Sequence, residues 1–213
     1  MMFPTFARRL RRDRRGLALM EFAIVLPALV LLCLGGMEIA NYVTTKMRMS
    51  QIALQIADNA ARIGSGSPLA AKTITENDVN DLFIGAQTAS GKLNLRENGR
   101  VVLSDLEPQA NPNTTSKYKI AWQRCYGAKV HPSTYGNAGA TNLAGMGPAG
   151  RLVTAQDDNA TMFVEVYYVY KPIVGLTWTP ATEMVEIASM AVRDRRDLAS
   201  GLTNADKVTP STC

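Results

Sequence analysis

One histidine and three cysteines are all that this chain of 213 residues offers for metal binding or thiol chemistry. A bound metal ion needs three or four converging ligands, and the sequence contains neither a CxxC motif nor a Cys/His cluster. The histidine, His131, precedes Pro132 in a segment rich in Gly and Asn. These absences argue against a metal site and against a bound cofactor.

Catalytic motifs are missing as well. The sequence has no GxSxG motif and no acidic cluster beyond the spacing that is ordinary for a surface, so we expect no catalytic residues and no enzyme. Residues 126–150 include GNAGATNLAGMGPAG, which lacks the Lys and the strand-to-helix context of a phosphate-binding loop. We interpret this segment as a long exposed loop, with ligand binding as the alternative.

The body of the chain has no net charge. Residues 1–16 hold six of the 23 basic and one of the 18 acidic residues, which accounts for the formal charge of +5 and leaves 17 of each sign in the remainder. A basic stripe would be needed for binding to nucleic acid, and none is present after residue 16. Nucleic acid is therefore excluded as a partner.

What the sequence does have is a long apolar segment near its N-terminus. The uncharged run of residues 22–37 is shorter than the roughly 20 residues that cross a bilayer, but residues 17–20 and 39–43 extend it on both sides. The extended segment can cross the bilayer if Glu21 and Glu38 lie near the two membrane surfaces. Because arginines beside a membrane helix resist translocation, we expect the N-terminus in the cytoplasm and the chain beyond residue 42 outside it.

Three processing signals compete for this segment. A secretory signal requires an uninterrupted apolar core and an Ala-x-Ala site, whereas Glu21 breaks the core and no such site follows. A lipoprotein signal requires a small residue before the cysteine, whereas Cys33 follows Leu32. The third pattern is a basic leader that ends in Gly, then four uncharged residues, Glu and a long apolar helix, and Gly16 with residues 17–20 and Glu21 matches it without a gap.

The third pattern has an electrostatic rationale. Cleavage after Gly16 creates a cationic amine on Leu17, and Glu21 lies four residues further on, on the same helical face. A carboxylate at membrane depth costs several kcal/mol unless it is paired, so this amine, from the same or a neighbouring chain, is its natural partner. The alternative is an ordinary anchor whose Glu21 reaches the headgroups.

The N-terminal segment resembles the TadE-like pseudopilins of tight-adherence (Flp-type) pilus systems. The resemblance is carried by RRGLALMEFAIVLPALVLL, at the positions Gly16, Leu17, Glu21 and Pro27, and the later segment AWQRC (residues 121–125) is also similar to that family. It implies cleavage by the prepilin peptidase between Gly16 and Leu17, residence in the bacterial inner membrane, and a minor role in the structure or assembly of the pilus. Its implied partners are other pilins or pseudopilins and the assembly platform. We expect Pro27 to kink the helix, which membrane helices tolerate.

The remainder of the chain predicts an α+β fold. The helix should continue to about residue 62, with its apolar face packed on the protein's own domain or, alternatively, on a partner helix. A second helix should begin at Thr75, with Asp78 completing a capping box. Strands are expected at residues 100–106, 117–124, 161–171 and 183–193, and antiparallel pairing is the economical choice. The aromatic residues Phe163, Tyr167, Tyr168 and Tyr170 should lie in the sheet core, with a recognition surface as the alternative.

This interpretation divides the chain into four parts. They are a cytoplasmic leader (1–16), a transmembrane helix (17–42), a periplasmic extension of that helix (43–63) and a periplasmic α+β head (64–213). A long N-terminal helix followed by an antiparallel sheet is also the plan of pilins, a likeness that holds by analogy.

A disulfide between Cys125 and Cys213 is expected from this topology. Both residues lie beyond the membrane in an oxidising compartment, whereas Cys33 lies in lipid. The bridge would give the polar tail at residues 201–212 a reason to be ordered. Two independent free thiols are the alternative.

Two functions fit the sequence. The first is a pseudopilin that helps to assemble tight-adherence pili at the inner membrane or in association with the surface pilus. The second is an uncleaved, single-pass, membrane-anchored periplasmic protein that binds a ligand or an envelope partner through residues 126–150. The two functions are distinguished by whether the N-terminal leader is cleaved or intact.

Overall fold

The computed structural model describes residues 16–66, 70–175 and 182–213. Most of the expected leader lies outside these residues. The described residues of Met1–Val43 and Pro172–Thr179 form one compact unit, and those of Thr44–Lys171 and Pro180–Cys213 form the other.

The first helix, α1, runs from Leu17 to Ala60 and contains Pro27 without a break. In the second unit its apolar face is buried: Met49 and Ile56, two turns apart, are 0% and 1% exposed. The prediction that this face packs on the protein's own domain is thus confirmed for the part of the helix after Thr44. In the first unit, Ile39 and Val43 stay about half exposed.

The second helix, α2 (Glu76–Ser90), follows the two-residue strand β1 (Ile74–Thr75). The predicted capping box is confirmed, because the Thr75 hydroxyl accepts from the Asp78 amide at 3.1 Å and the Asp78 carboxylate accepts from the Thr75 amide at 2.9 Å. The apolar side chains of α2 at Val79, Leu82, Phe83 and Ala86 are buried. A 3₁₀ turn (Gly91–Leu93) and the short helix α3 (Leu95–Asn98) lead into the sheet.

The main sheet has four antiparallel strands, which confirms the predicted α+β class. They are β2 (Gly99–Pro108), β3 (Tyr118–Tyr126), β4 (Thr161–Val169) and β5 (Glu183–Ala191), arranged in the order β3-β2-β4-β5. Val102 of β2 pairs with Cys125 on one side and with Glu165 on the other. The aromatic residues predicted for the sheet core, Phe163, Tyr167, Tyr168 and Tyr170, are all buried.

Residues 126–150 were predicted as a long exposed loop, and the structure confirms the loop but not its full exposure. They are irregular, but Met146 is fully buried and packs with Leu106 and Ile120 of the sheet. The backbone of Leu143 exchanges hydrogen bonds with Tyr118, and the Ile120 amide donates to the Ala140 carbonyl. The segment is only partly exposed because an edge strand leaves backbone groups that need partners, and residues 126–150 supply them to β3.

The C-terminal tail is ordered by pairing with an early part of the chain. Strand β6 (Leu202–Thr203) lies parallel to β1, with Leu202 opposite Ile74 and Thr203 opposite Thr75.

Candidate functional site

Gly16 is the first described residue and marks the start of α1. The Met20 amide donates to its carbonyl at 3.1 Å, and Leu17 is 59% exposed. A Cβ on Gly16 would meet nothing within 4 Å, and its φ lies outside the region that favours glycine. Within the described part of the chain, packing and backbone geometry therefore give no reason for glycine at this position.

Glu21 and the apolar first half of α1 are exposed. None of the most apolar 18-residue window of the helix is buried, and by length and composition the helix can cross a membrane. Side chains such as Leu19, Ile24 and Leu32 are more than 70% exposed. So large an apolar surface indicates lipid or partner helices around it, which suggests a single-pass membrane anchor.

Pro27 lies within this exposed segment. Proline has no amide hydrogen to donate, so the carbonyl of Ala23 loses its helical partner. The kink predicted at Pro27 stays a prediction.

Glu38 is buried in the first unit, in contrast to Glu21. Its carboxylate is 1% exposed and accepts hydrogen bonds from two consecutive amides, those of Ile173 at 2.8 Å and Val174 at 2.9 Å. The sequence placed Glu38 near a membrane surface but gave no signal for this partner, which lies 135 positions away along the chain.

The predicted disulfide is present between Cys125 and Cys213, with an S–S distance of 2.14 Å. The Cys125 amide donates to the Ser211 carbonyl at 2.8 Å, and the Ser211 hydroxyl bonds to Asn80 of α2 at 2.6 Å. The tail is thus fixed to both β3 and α2. Cys33 is a free, exposed cysteine on α1.

The AWQRC segment connects several parts of the fold. Gln123 donates to the Ser104 hydroxyl at 2.8 Å and to the Gly136 carbonyl at 3.0 Å. Arg124 pairs through two nitrogens with the buried carboxylate of Glu76 at the start of α2, with Nε 2.9 Å from Oε2. These contacts assign structural roles to Gln123 and Arg124.

The burial of two acidic residues on β2 was not predicted from the sequence. Asp105 and Glu107 are each 2% exposed, and Glu107 pairs with Lys119 at 3.0 Å. Burial, followed by repulsion from Glu107, raises the pKa of Asp105 to about 8, while Arg196 acts in the opposite direction. Apolar residues occupy both faces of β2, with Val101 and Leu103 on the face of Asp105, and this pattern of a strand buried on both sides is the signal that could have indicated the burial of Asp105.

Arg196 occupies the C-terminal end of α1 in the second unit. It is 7% exposed, and its Nη2 donates to the carbonyls of Ala60 at 3.1 Å and Ile63 at 3.0 Å. A cation at this position is favoured by the free carbonyls and by the helix dipole. Burial lowers the pKa of Arg196, and the carboxylates of Asp105 and Asp194 oppose that shift.

Glu165 and His131 hold residues 131–135 against the sheet. The Glu165 carboxylate accepts from the Ser133 hydroxyl and, at 3.1 Å, from the Thr134 amide, while burial raises its pKa. The His131 ring stacks on Tyr167 with 4.3 Å between centroids, which is a packing role. Within residues 16–66, 70–175 and 182–213, no group of three or more His, Cys, Asp or Glu residues is placed to hold a metal ion.

A half-open cavity of about 780 Å³ lies beside the disulfide in the second unit. Its lining includes the basic side chains of Arg100, Arg124 and Lys129, together with His131 and Cys213. Arg124 is already paired with Glu76, and Arg100 donates to the Cys213 carbonyl oxygen at 3.3 Å.

Comparison with known proteins identifies one family. The family model described as TadE-like protein matches residues 16–65, and it therefore begins at Gly16 and covers α1. This confirms the resemblance of the N-terminal segment, while AWQRC lies outside the matched range. Searches of curated proteins and of solved structures found no match. The matched range is 50 of the 213 residues, so the match describes the N-terminal segment.

Proposed function

We propose that this protein is a minor, pilin-like (pseudopilin) component for the assembly of tight-adherence pili, processed by the prepilin peptidase after Gly16. One observation carries the proposal: α1 begins immediately after Gly16, exposes an apolar first half, and carries Glu21 one turn from its start. The protein would sit in the bacterial inner membrane as a single-pass protein, with its N-terminus in the cytoplasm and its head in the periplasm.

The surroundings of Gly16 support recognition by a peptidase. A side chain at this position would meet no obstacle in the described structure, so the described fold itself gives no reason for glycine here. A glycine just before the cut would let a peptidase approach the backbone closely.

The exposed carboxylate of Glu21 supports assembly with other subunits. After cleavage, the Leu17 amine would lie one turn from Glu21, and a carboxylate at this depth is stabilised by such a cation. In a bundle of subunits, the amine of one chain can pair with Glu21 of the next. The partners are then other pilins or pseudopilins and the assembly platform, with no catalytic role for this chain.

The disulfide supports a periplasmic location of the head. Disulfides persist in oxidising compartments such as the periplasm, and Cys125–Cys213 lies within the second unit, whereas the apolar half of α1 belongs to the first.

The test is the mass of the protein purified from membranes of a host with an active prepilin peptidase. We expect the chain to begin at Leu17. A Gly16→Val variant should retain the leader, whereas Gly36→Val, at another unobstructed glycine of α1, should be cleaved as in the wild type. Wild-type protein that still carries residues 1–16 would refute the proposal.

A second candidate is an uncleaved, membrane-anchored periplasmic binding protein. It is favoured by the cavity lined by Arg100, Lys129 and His131, which residues 128–133 of the irregular segment help to form. The same mass measurement separates the two functions, because the binding protein would keep its leader.

A further inference from the structure

We propose that residues 172–175, which we call the Glu38-bound segment, form a contact surface for the phospholipid bilayer, with the side chain of Ile173 in the headgroup region. This inference rests on the proposed single-pass anchor. It adds to that anchor a second, non-helical part of the chain that touches lipid.

The segment is fixed to α1 by charge-assisted hydrogen bonds. The Glu38 carboxylate, 1% exposed, accepts from the amides of Ile173 at 2.8 Å and Val174 at 2.9 Å. Hydrogen bonds to a charged acceptor are about twice as strong as neutral ones, and two adjacent amides on one oxygen also fix the direction of the backbone. The segment therefore lies at the height of Glu38 on the helix.

The height of Glu38 coincides with the membrane boundary. From Leu17 to Glu38 there are 21 helical steps, which at 1.5 Å each span about 32 Å. The hydrocarbon core of a bilayer is about 30 Å thick. With Leu17 at the cytoplasmic face, Glu38 and the amides it holds lie at the opposite face, where an isolated carboxylate in hydrocarbon would be costly but a hydrogen-bonded one at the edge is tolerated.

The side chains exposed at this height are apolar. Ile173 is 58% exposed, and Met37 and Ile39, which flank Glu38 in α1, are 54% and 52% exposed. A surface that faced water would favour polar groups at these positions, whereas the edge of a bilayer accepts apolar side chains beside polar backbone. Because α1 already holds the chain in the membrane, Ile173 needs no binding energy of its own to reach the lipid.

The test uses the full-length protein in phospholipid nanodiscs and an environment-sensitive fluorophore attached to one cysteine at a time. The free cysteine is first removed by Cys33→Ser, and the disulfide is kept by labelling without reductant. Three positions are then compared: Ile173→Cys in the segment, Val30→Cys in the middle of the apolar helix, and Val130→Cys, which is 93% exposed on the second unit. Phospholipids with a nitroxide near the headgroup or at mid-chain serve as quenchers.

We expect the label at position 173 to show blue-shifted emission and to lose fluorescence mainly to the headgroup quencher. The label at position 30 should respond mainly to the mid-chain quencher, and the label at position 130 should respond to neither. Quenching at position 30 combined with none at position 173 would overturn this inference and leave the anchor intact. Absence of quenching at position 30 would overturn both.

The role of Glu38 is tested on the same background. Glu38→Ala removes the acceptor of both amides and should reduce headgroup quenching at position 173, while Glu38→Gln keeps an acceptor oxygen and should preserve most of it. Quenching that is unchanged in Glu38→Ala would contradict the tether. The label at position 30 checks that each variant is still inserted.

Discussion

At the scale of single residues, Asp105 is the group whose chemistry the fold changes most. It is buried on β2 beside Glu107, and one of its oxygens has no hydrogen-bond partner. Its pKa rises from 3.8 to about 8 because burial and the neighbouring carboxylate both disfavour the ionised form. At neutral pH the protonated acid therefore predominates in the folded state, whereas the unfolded chain is ionised.

Because of this difference in protonation, the free energy of unfolding depends on pH, and the direction of the change is defined. Between pH 3.8 and about 8 the folded state binds a proton at Asp105 that the unfolded state has lost, so this residue lowers the stability progressively as pH rises through that window. Asp105→Asn mimics the protonated acid and removes the effect. The variant should match the wild type near pH 4 and exceed it at pH 9 by up to about 6 kcal/mol, the upper limit for a shift of this size.

Urea unfolding of the full chain in detergent, followed by tryptophan fluorescence at several pH values, provides the measurement. Asp206→Asn, at an exposed position, is the matched control and should leave the pH profile of the wild type unchanged. If the wild type and Asp105→Asn keep the same difference at every pH, the assignment of a raised pKa to Asp105 is wrong.

At the scale of secondary-structure elements, the sequence predicted those features that depend on residues close together in the chain. Thr75 and Asp78 identified the start of α2 because a capping box needs only residues three positions apart. The strands predicted at residues 100–106, 117–124, 161–171 and 183–193 agree with the four strands of the sheet to within a few residues.

Such patterns could not predict contacts between segments that lie far apart in the sequence. Nothing adjacent to Arg196 in sequence indicates that it ends α1 by bonding Ala60 and Ile63, and nothing near Glu38 indicates Ile173. The irregular backbone of residues 126–150 was expected to be exposed because its composition is that of loops, but an edge strand recruits such segments for their backbone groups rather than for their side chains. The disulfide was predictable because topology left only two cysteines outside the apolar segment.

The ordered conformation of the C-terminal tail, which carries β6, should depend on the disulfide. Cys213→Ser should lower the free energy of unfolding by about 2–4 kcal/mol, since the bridge closes a loop of 88 positions in the unfolded chain. Hydrogen exchange should rise at residues 202–213 more than in β2 and β4, because β1 offers the tail only two paired residues. Cys33→Ser is the control and should change neither measurement. Unaltered exchange in the tail of Cys213→Ser would show that Ser211 and β6 hold it without the bridge.

At the scale of the whole molecule, Glu21 should matter to the assembly and not to the fold. We predict that Glu21→Ala leaves membrane insertion and the Cys125–Cys213 bridge intact while it lowers pilus-dependent adherence at least about tenfold. A loss of about 1.4 kcal/mol in the free energy of contact between subunits lowers their binding tenfold. An unpaired charge in the membrane costs more than this. Glu97→Ala, at an exposed position of the head, should adhere like the wild type. Normal adherence by Glu21→Ala would contradict the proposed pairing.

In the proposed topology, the pairing of β1 with β6 also sets an order of events during export. Ile74 and Leu202 are 128 positions apart, so β1 leaves the translocation channel long before its partner strand. Arg196 reaches the carbonyls of Ala60 and Ile63 equally late. Contacts of such high sequence separation form slowly, because a long loop must close before they contribute. In the proposed topology, a partly exported chain therefore presents the end of α1 and the edge of β1 without their final partners, and at that stage the protein is most exposed to envelope chaperones and proteases.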